Sequence, residues 1–178
     1  MHAAVERTLI TKRLALEPLL PSHARELFSG LQDERIYRYH AGVPPRSVDE
    51  LEQRYRAWST RRSPDGTQRW LNYAVRLLAD QAYVGWVQAT VDSGGCATIG
   101  YDFFSAHWRH GYATEACGEL LRFLRQELRV GRFAAVADSE NVASIKLLER
   151  LGFMRVASGA SQDMPGRLDL RYELACGL

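Results

Sequence analysis

The chain has 178 residues, 46% of them hydrophobic and 25% charged, with a formal net charge of +2. That length suits one domain with its own core, and the mix is that of a globular chain, which excludes intrinsic disorder. Near-balanced charge without a basic stripe excludes the usual footprint of a nucleic-acid binder.

No apolar run reaches the ~18 residues of a membrane helix, and the start at Met1 to Arg7 has no apolar signal core. Neither a membrane nor a secreted protein is therefore expected. Cys96, Cys117 and Cys176 are far apart and odd in number, without metal-ligand spacing. Reduced thiols in a cytoplasmic protein are the expectation.

In chain order, residues 13–17 alternate about Leu14 and Leu16 and predict a strand. Pro21-Ser22 opens a helix carrying Ala24, Leu27, Phe28 and Leu31. Pro44-Pro45 breaks the chain. Ser47, with Glu50 three residues on, is a capping box for a helix whose face is Val48, Leu51, Tyr55 and Trp58. Ser63-Pro64-Asp65-Gly66 ends it. Leu71 to Leu77, Tyr83 to Val91 and Ala97 to Phe104 predict an antiparallel meander, with a turn at Asp92-Ser93-Gly94-Gly95.

The period then becomes helical at Ala116, Leu120, Leu121, Leu124 and Leu128. Phe133 to Ala137 reads as a strand. Asn141 caps a helix bearing Ile145, Leu148 and Leu151, which Gly152 and Phe153 close as a Schellman end. Strands at 153–158 and 167–175 finish the chain. The strand–helix–strand passage over 97–137 implies a right-handed crossover between parallel strands. The expected fold is α/β in the α+β sense, a single domain over 1–178. Its mixed, mostly antiparallel central sheet has about six to seven strands, with helices on both faces. The final hairpin leaves a sheet edge to be covered, so a homodimer is an expectation.

One stretch carries chemistry. From Ile99 to Ala116 a strand runs into a small-residue turn, and the turn opens a helix. The free N–H groups of such a turn converge, and the helix dipole adds positive potential, which suits a phosphate or pyrophosphate. Gly111 allows close backbone approach, Ala113 keeps the next turn uncrowded, and Arg109 and His110 offer side-chain contacts. A plain glycine helix entry is the open alternative, because one glycine is a weak fingerprint.

Trp108-Arg109-His110-Gly111-Tyr112-Ala113-Thr114-Glu115-Ala116 resembles the acetyl-CoA signature of the GNAT superfamily of N-acetyltransferases. Within it, the stretch resembles the Rim-type branch, which includes ribosomal-protein N-terminal acetyltransferases. Asn141-Val142-Ala143-Ser144, running on to Leu148-Glu149-Arg150-Leu151-Gly152-Phe153, is similar to that branch's second CoA motif. Thr11 to Leu16 is similar to its opening strand. The resemblance implies a GNAT-like acyl-CoA N-acyltransferase fold, acetyl-CoA as co-substrate, no metal, and an amine acceptor. That acceptor is a protein or peptide N-terminus, or alternatively a small amine such as an amino acid, antibiotic or polyamine. A non-catalytic CoA-binding sensor is the reading of another class.

The same resemblance assigns residues. The backbone of Arg109, His110, Gly111, Tyr112, Ala113 and Thr114 holds the CoA diphosphate. Phe103, Phe104 and Ser105 meet the pantetheine with backbone groups. Asn141 binds CoA besides capping its helix, and Lys146 either reaches a phosphate or is a solvated charge. Arg109 stands where the branch often has glycine, so it is either strained at positive φ or a phosphate contact. Leu148 occupies the place of the tyrosine that serves many members as general acid. Ser144 is then the candidate for protonating the departing thiolate, against a plain first-turn serine.

Asp102 is the candidate base or acceptor ligand, with Asp138 and Glu140 as alternatives. An α-amine of pKa about 8 is roughly a tenth neutral at pH 7, whereas a lysine amine is neutral in only about 1 of 2,500 molecules. The lack of an obvious base therefore leans toward α-amine acceptors. Entry is expected between the loops at 40–46 and 159–166.

Overall fold

Alternation about Leu14 and Leu16 forms the second strand of a hairpin, β1 at Leu9–Ile10 and β2 at Leu14–Pro18. This is a computed structural model, and it describes residues 7–175. The readings of the chain start before Arg7 and of the Cys176 thiol fall outside the described residues.

The helix after Pro21 is shorter than its apolar spacing suggests. It covers His23–Phe28 (α1), and Leu31 sits on a 3₁₀ turn at Gly30–Gln32. Gly30 permits that break and a close approach: a Cβ there would lie 2.3 Å from the Phe104 ring. A second 3₁₀ turn follows at Glu34–Tyr37. Helix α2 (Val48–Trp58) starts with the expected cap, the Ser47 hydroxyl accepting the Glu50 N–H at 3.1 Å. The return half of the box differs, because the Glu50 carboxylate turns to Arg46 and Arg54.

The meander forms as β3 (Arg69–Leu77), β4 (Tyr83–Val91) and β5 (Cys96–Phe103). Helix α3 (Tyr112–Leu128) crosses to β6 (Arg132–Asp138), which runs parallel to β5. Helix α4 (Val142–Arg150) ends as a Schellman motif: Gly152 has φ +88, and the Phe153 N–H reaches Leu148 O at 3.0 Å. Strands β7 (Met154–Ala160) and β8 (Leu168–Ala175) form the last hairpin.

All the strands lie in one eight-stranded sheet of order β1-β2-β3-β4-β5-β6-β8-β7. The strand beyond the expected six to seven is β1, two residues long and too short to show alternation. Strand β7 is the outer edge, exposed at every residue. Helices cover both faces. Leu71, Tyr73 and Val75 meet α3 and α4 through Leu120, Leu124 and Leu148. On the other face Ala74 and Phe104 pack with Leu27 of α1 and Leu51 and Tyr55 of α2. No described helix is long and apolar enough to cross a membrane.

One irregularity positions everything that follows. The parallel ladder of β5 and β6 runs only from Cys96–Arg132 to Thr98–Ala134. Beyond it β5 stays on β4 and β6 stays on β8, so the sheet splits. A cavity of about 460 Å³ opens in the gap, lined by Ile99–Asp102 on one side and Ala135–Asp138 on the other.

Candidate active site

Two left-handed residues shape the turn before α3. Gly111, its N-cap, has φ +77, and Arg109 has φ +64. With this fold the backbone N–H groups of Arg109 through Thr114 take no protein acceptor among the described residues. A Cβ on Gly111 would meet only the Arg13 guanidinium, at 3.6 Å, so the turn stays open. The arrangement fits a diphosphate, whose oxygens need converging donors.

The turn is braced from the first hairpin. Glu115 accepts from Thr11 Oγ1 at 2.6 Å, from the Arg13 N–H at 2.9 Å and from Arg13 Nε at 2.7 Å. Arg13 Nη1 donates to the His110 carbonyl at 2.9 Å, and its guanidinium lies 4.6 Å over the Tyr112 ring. The His110 ring stacks on Tyr112 from another side. Burial pushes the Glu115 carboxyl up, but hydrogen bonds from Thr11 and Arg13 outweigh it and hold it below the usual range. The Arg109 and Lys146 side chains are exposed.

The residues just before the turn are well occupied. The Phe104 N–H donates to Val84 O at 2.9 Å, so the shared peptide turns the Phe103 carbonyl to the opposite, open edge of β5. There Trp108 Nε1 donates to it at 2.6 Å. The Ser105 hydroxyl donates to Asp33, a carboxylate that bonds from Arg35 first, and then from Ser105, hold far below its usual range. Phe103 packs in the α3–α4 core and Phe104 in the α1–α2 core.

At the gap, alternation along β5 sends neighbouring side chains to different faces. Tyr101 turns toward α4, where its hydroxyl lies 2.7 Å from Ser144 Oγ. Asn141 accepts the Ser144 N–H at 3.1 Å, so the cap fixes the serine backbone and leaves its hydroxyl to Tyr101. Burial raises the Tyr101 phenol, which therefore keeps its proton at neutral pH. Leu148 is fully buried and supplies no proton donor. Tyr101 was within reach of the sequence, since it faces opposite Asp102 by strand period, but nothing local ties it to Ser144.

Asp102 faces the α1–α2 side. Its Oδ1 lies 3.2 Å from His40 Nε2, and the Gly42 N–H donates to His40 Nδ1 at 3.1 Å. In the neutral ring that leaves the proton on Nε2, toward the carboxylate. The Asp102 carboxylate raises the imidazole above its ordinary value. Asp138 accepts the Glu140 N–H at 2.7 Å through Oδ1, while its buried Oδ2 has no partner. Glu140 is mostly exposed and pairs with Arg167 at 2.6 Å. His40 lies in the expected 40–46 loop, yet its role depends on Asp102, which no sequence spacing links to it. The cavity wall is completed by Tyr37, Arg54, Tyr55, Trp58 and Trp86.

An open helix-entry turn beside a split sheet, the Tyr101–Ser144 pair in the split and a carboxylate-lined cavity fit a transferase that works on a phosphate-bearing acyl carrier. Residues 13–154 match the acetyltransferase (GNAT) domain, and the chain belongs to that family of N-acetyltransferases, which use acetyl-CoA.

Among curated relatives, the uncharacterized N-acetyltransferase YoaA of Bacillus subtilis is 25% identical over 149 residues, 83% of this chain and 82% of YoaA. The uncharacterized protein YkkB of the same organism is 29% identical over 147 residues, 81% and 83% of the two chains. Among solved structures, RimL, a ribosomal L7/L12 α-N-protein acetyltransferase in complex with coenzyme A, superposes with a TM-score of 0.84 at 14% identity, covering 95% of this chain and 98% of RimL. A GNAT-family acetyltransferase from Bacillus anthracis gives 0.78 at 18% identity, with coverages of 95% and 98%. At these identities the structural likeness is one of fold.

Proposed function

We propose that the protein transfers acetyl from acetyl-CoA to an α-amine, in the manner of the Rim-type branch, with a peptide N-terminus as acceptor. The observation that carries this is the split between β5 and β6. The cavity in that split holds Asp102 and the Tyr101–Ser144 pair, and the open turn at Arg109–Thr114 follows the end of β5 in the chain.

Acetyl-CoA supplies an activated acyl group, and the backbone of Arg109 to Thr114 would hold its diphosphate. The amine nitrogen attacks the thioester carbonyl carbon; the C–N bond forms and the C–S bond breaks. The proton leaves once the nitrogen is cationic and far more acidic, so a carboxylate can take it. Asp102, set against His40, is placed for that on the acceptor side. Ser144 donates a proton to the departing thiolate and takes one back from Tyr101; as the products leave, solvent returns the phenol's proton and takes the one held by Asp102.

The cavity volume of about 460 Å³ and its aromatic wall favour a second reading, a small amine, because a space of this size encloses a drug-sized ligand. Cytoplasmic residence belongs to the proposal and draws support from the free thiols of Cys96 and Cys117. So does a homodimer through the β7 edge, which sedimentation velocity reads.

The test is mass-spectrometric acetyl transfer to a panel of peptides with free N-termini, amino acids, polyamines and aminoglycosides. Transfer confined to peptide α-amines supports the leading reading, and transfer only to small amines selects the second. Thermal stabilisation by acetyl-CoA without transfer to any acceptor would make the protein a CoA sensor.

A further inference from the structure

We infer that the acceptor carries a carboxylate close to its reactive amine, and that Arg54 on α2 binds it. This rests on reading the cavity as the acceptor site.

The cavity is polarised. Its floor, beside the gap, holds Asp102 and the unpartnered Asp138 Oδ2. Its α2 wall holds Arg54. Asp138 Oδ1 faces Arg167 at 3.5 Å and Asp102 faces His40 at 3.2 Å, which leaves Asp138 Oδ2 to an ammonium group, and a cation opposite it suits an anionic second group on the same ligand.

Arg54 has charge and donors to spare. Glu50 is shared by two guanidinium groups. Arg46 occupies Oε2 through its N–H at 3.2 Å and its Nε at 2.9 Å. Arg54 makes a single bond from Nη2 to Oε1, at 3.1 Å. A guanidinium has five N–H donors in a planar fork, which matches a carboxylate bidentately.

Tyr55 adds a further polar group: the residue is 1% exposed and lines the cavity. Burial raises the Tyr37 phenol to about 12; Asp102 adds to that and Arg54 opposes it. Tyr55 feels burial first and then the same two charges. Guanidinium and carboxylate line the same cavity as these two phenols.

Between the charged ends the wall is aromatic, with Tyr55–Trp58 and Trp58–Trp86 ring centroids 5.7 Å apart. An apolar body suits it. A polyamine does not fit, because its second cation would meet Arg54. A neutral-ended amine would leave the remaining guanidinium donors unused, whereas a carboxylate takes them up in charge-assisted bonds.

Two sources offer this chemistry: the α-carboxylate of a free amino acid, or an acidic side chain at the start of a peptide. The experiment compares initial rates for the full chain on matched pairs. One arm sets free apolar and aromatic amino acids against their amides. The other sets peptides with Glu or Asp in the first two positions against their Gln or Asn counterparts.

The acid member of a pair in at least one arm should be preferred by about tenfold to a hundredfold in kcat/KM, as expected for hydrogen bonds to a charged group, with the effect in KM. The preferred arm names the source. Arg54→Gln should bring that ratio near one by removing the acid's KM advantage, and Arg54→Lys should retain part of it. The wild-type ratio stands as a test by itself if Arg54→Gln fails to fold. Equal rates on acid and amide in both arms, with transfer proceeding, would overturn the Arg54 assignment and leave the acetyltransferase reading intact. Thermal stabilisation by acetyl-CoA with no transfer in either arm would remove the acceptor-site reading and the inference with it.

Discussion

The two sides of the split sheet are built differently. The turn at Arg109–Thr114 is one continuous run that works through its backbone, held in shape by Gly111, Arg109 and the Thr11–Arg13–Glu115 brace. The cavity proposed for the acceptor is lined by side chains drawn from separate segments: Tyr37, His40, Arg54 and Tyr55 from the α1–α2 region, and Trp86, Asp102 and Asp138 from the sheet. A backbone site fixes φ angles and small residues and tolerates little change. A side-chain site changes its ligand by substitution while the fold stays. RimL shares the fold at a TM-score of 0.84 with only 14% identity, and a fold by itself fixes few such side chains.

The largest expected effect strikes the backbone side. Gly111→Val puts a β-branched residue at φ +77, a conformation that costs an ordinary L-residue about 1–2 kcal/mol. That is small against a typical domain stability of about 5–15 kcal/mol, so the chain still folds. The turn, however, must give way, and acetyl-CoA affinity should fall about a hundredfold or more, as loss of converging backbone donors implies. Thermal shift with acetyl-CoA reads it. Full stabilisation by the ligand in this variant would show that the turn is not the anion cradle.

Next comes the chemistry in the gap. Ser144→Ala removes the hydroxyl facing Tyr101 but leaves the backbone N–H that Asn141 caps. Turnover should drop by about a hundredfold, within the range for a lost proton donor, with the acetyl-CoA KM unchanged. Tyr101→Phe should lower kcat less, because the serine still meets the sulfur. A rise in KM with kcat preserved would make Ser144 a helix-cap serine after all.

What the sequence disclosed follows the same division. The turn was legible because strand, glycine and helix start are contiguous, and the family motif lies on the same residues. The meander, the crossover and the Asn141 cap were legible for the same reason: each is a local pattern of period or capping. Strand β1 escaped because two residues carry no period. The break at Gly30 escaped because its cause is the Phe104 ring, far along the chain. The acceptor wall escaped almost entirely. Tyr55 and Trp58 read as part of one apolar helix face with Val48 and Leu51, nothing local marks Arg54, and only the packing of α2 over the split brings these side chains to line the cavity. His40–Asp102 and Tyr101–Ser144 are pairs that tertiary contact alone creates.

Acid and base should separate the two sides in opposite directions. Glu115 has a carboxyl held below its usual value, because bonds from Thr11 and Arg13 outweigh the upward push of burial. Its stabilisation is present above the unfolded value, about 4.3, and is lost as pH falls through the folded one. Melting curves of the wild type should therefore fall more steeply below about pH 4.3 than those of Glu115→Gln. His40 has the opposite sign. Asp102 raises it, so its stabilisation is complete below the unfolded value of 6.5 and fades as pH rises through the folded one. The wild type should lose its advantage over His40→Gln on that alkaline side. Parallel melting profiles for either pair would remove that brace.

The smallest effect bears on the one side chain in the turn that stands where a glycine would be easiest. Arg109 sits at φ +64 with its side chain exposed. Arg109→Gly relieves about 1–2 kcal/mol of left-handed strain. It also gives the unfolded chain more freedom, which takes back about 0.5–1 kcal/mol. The net gain is of the order of half a kcal/mol, about 1–2 °C in Tm for a chain of this size. If the turn binds through its N–H groups, the acetyl-CoA KM stays where it was, because the glycine keeps the same donor. Calorimetry and an acetyl-CoA titration, repeated at two salt concentrations, read both quantities. A Tm that rises while KM and its salt dependence hold makes Arg109 a tolerated strain in a backbone site. A several-fold higher KM, with a weaker salt dependence, makes the guanidinium a phosphate ligand. The strain would then be retained for binding, and the CoA side would depend on a side chain as the acceptor side does.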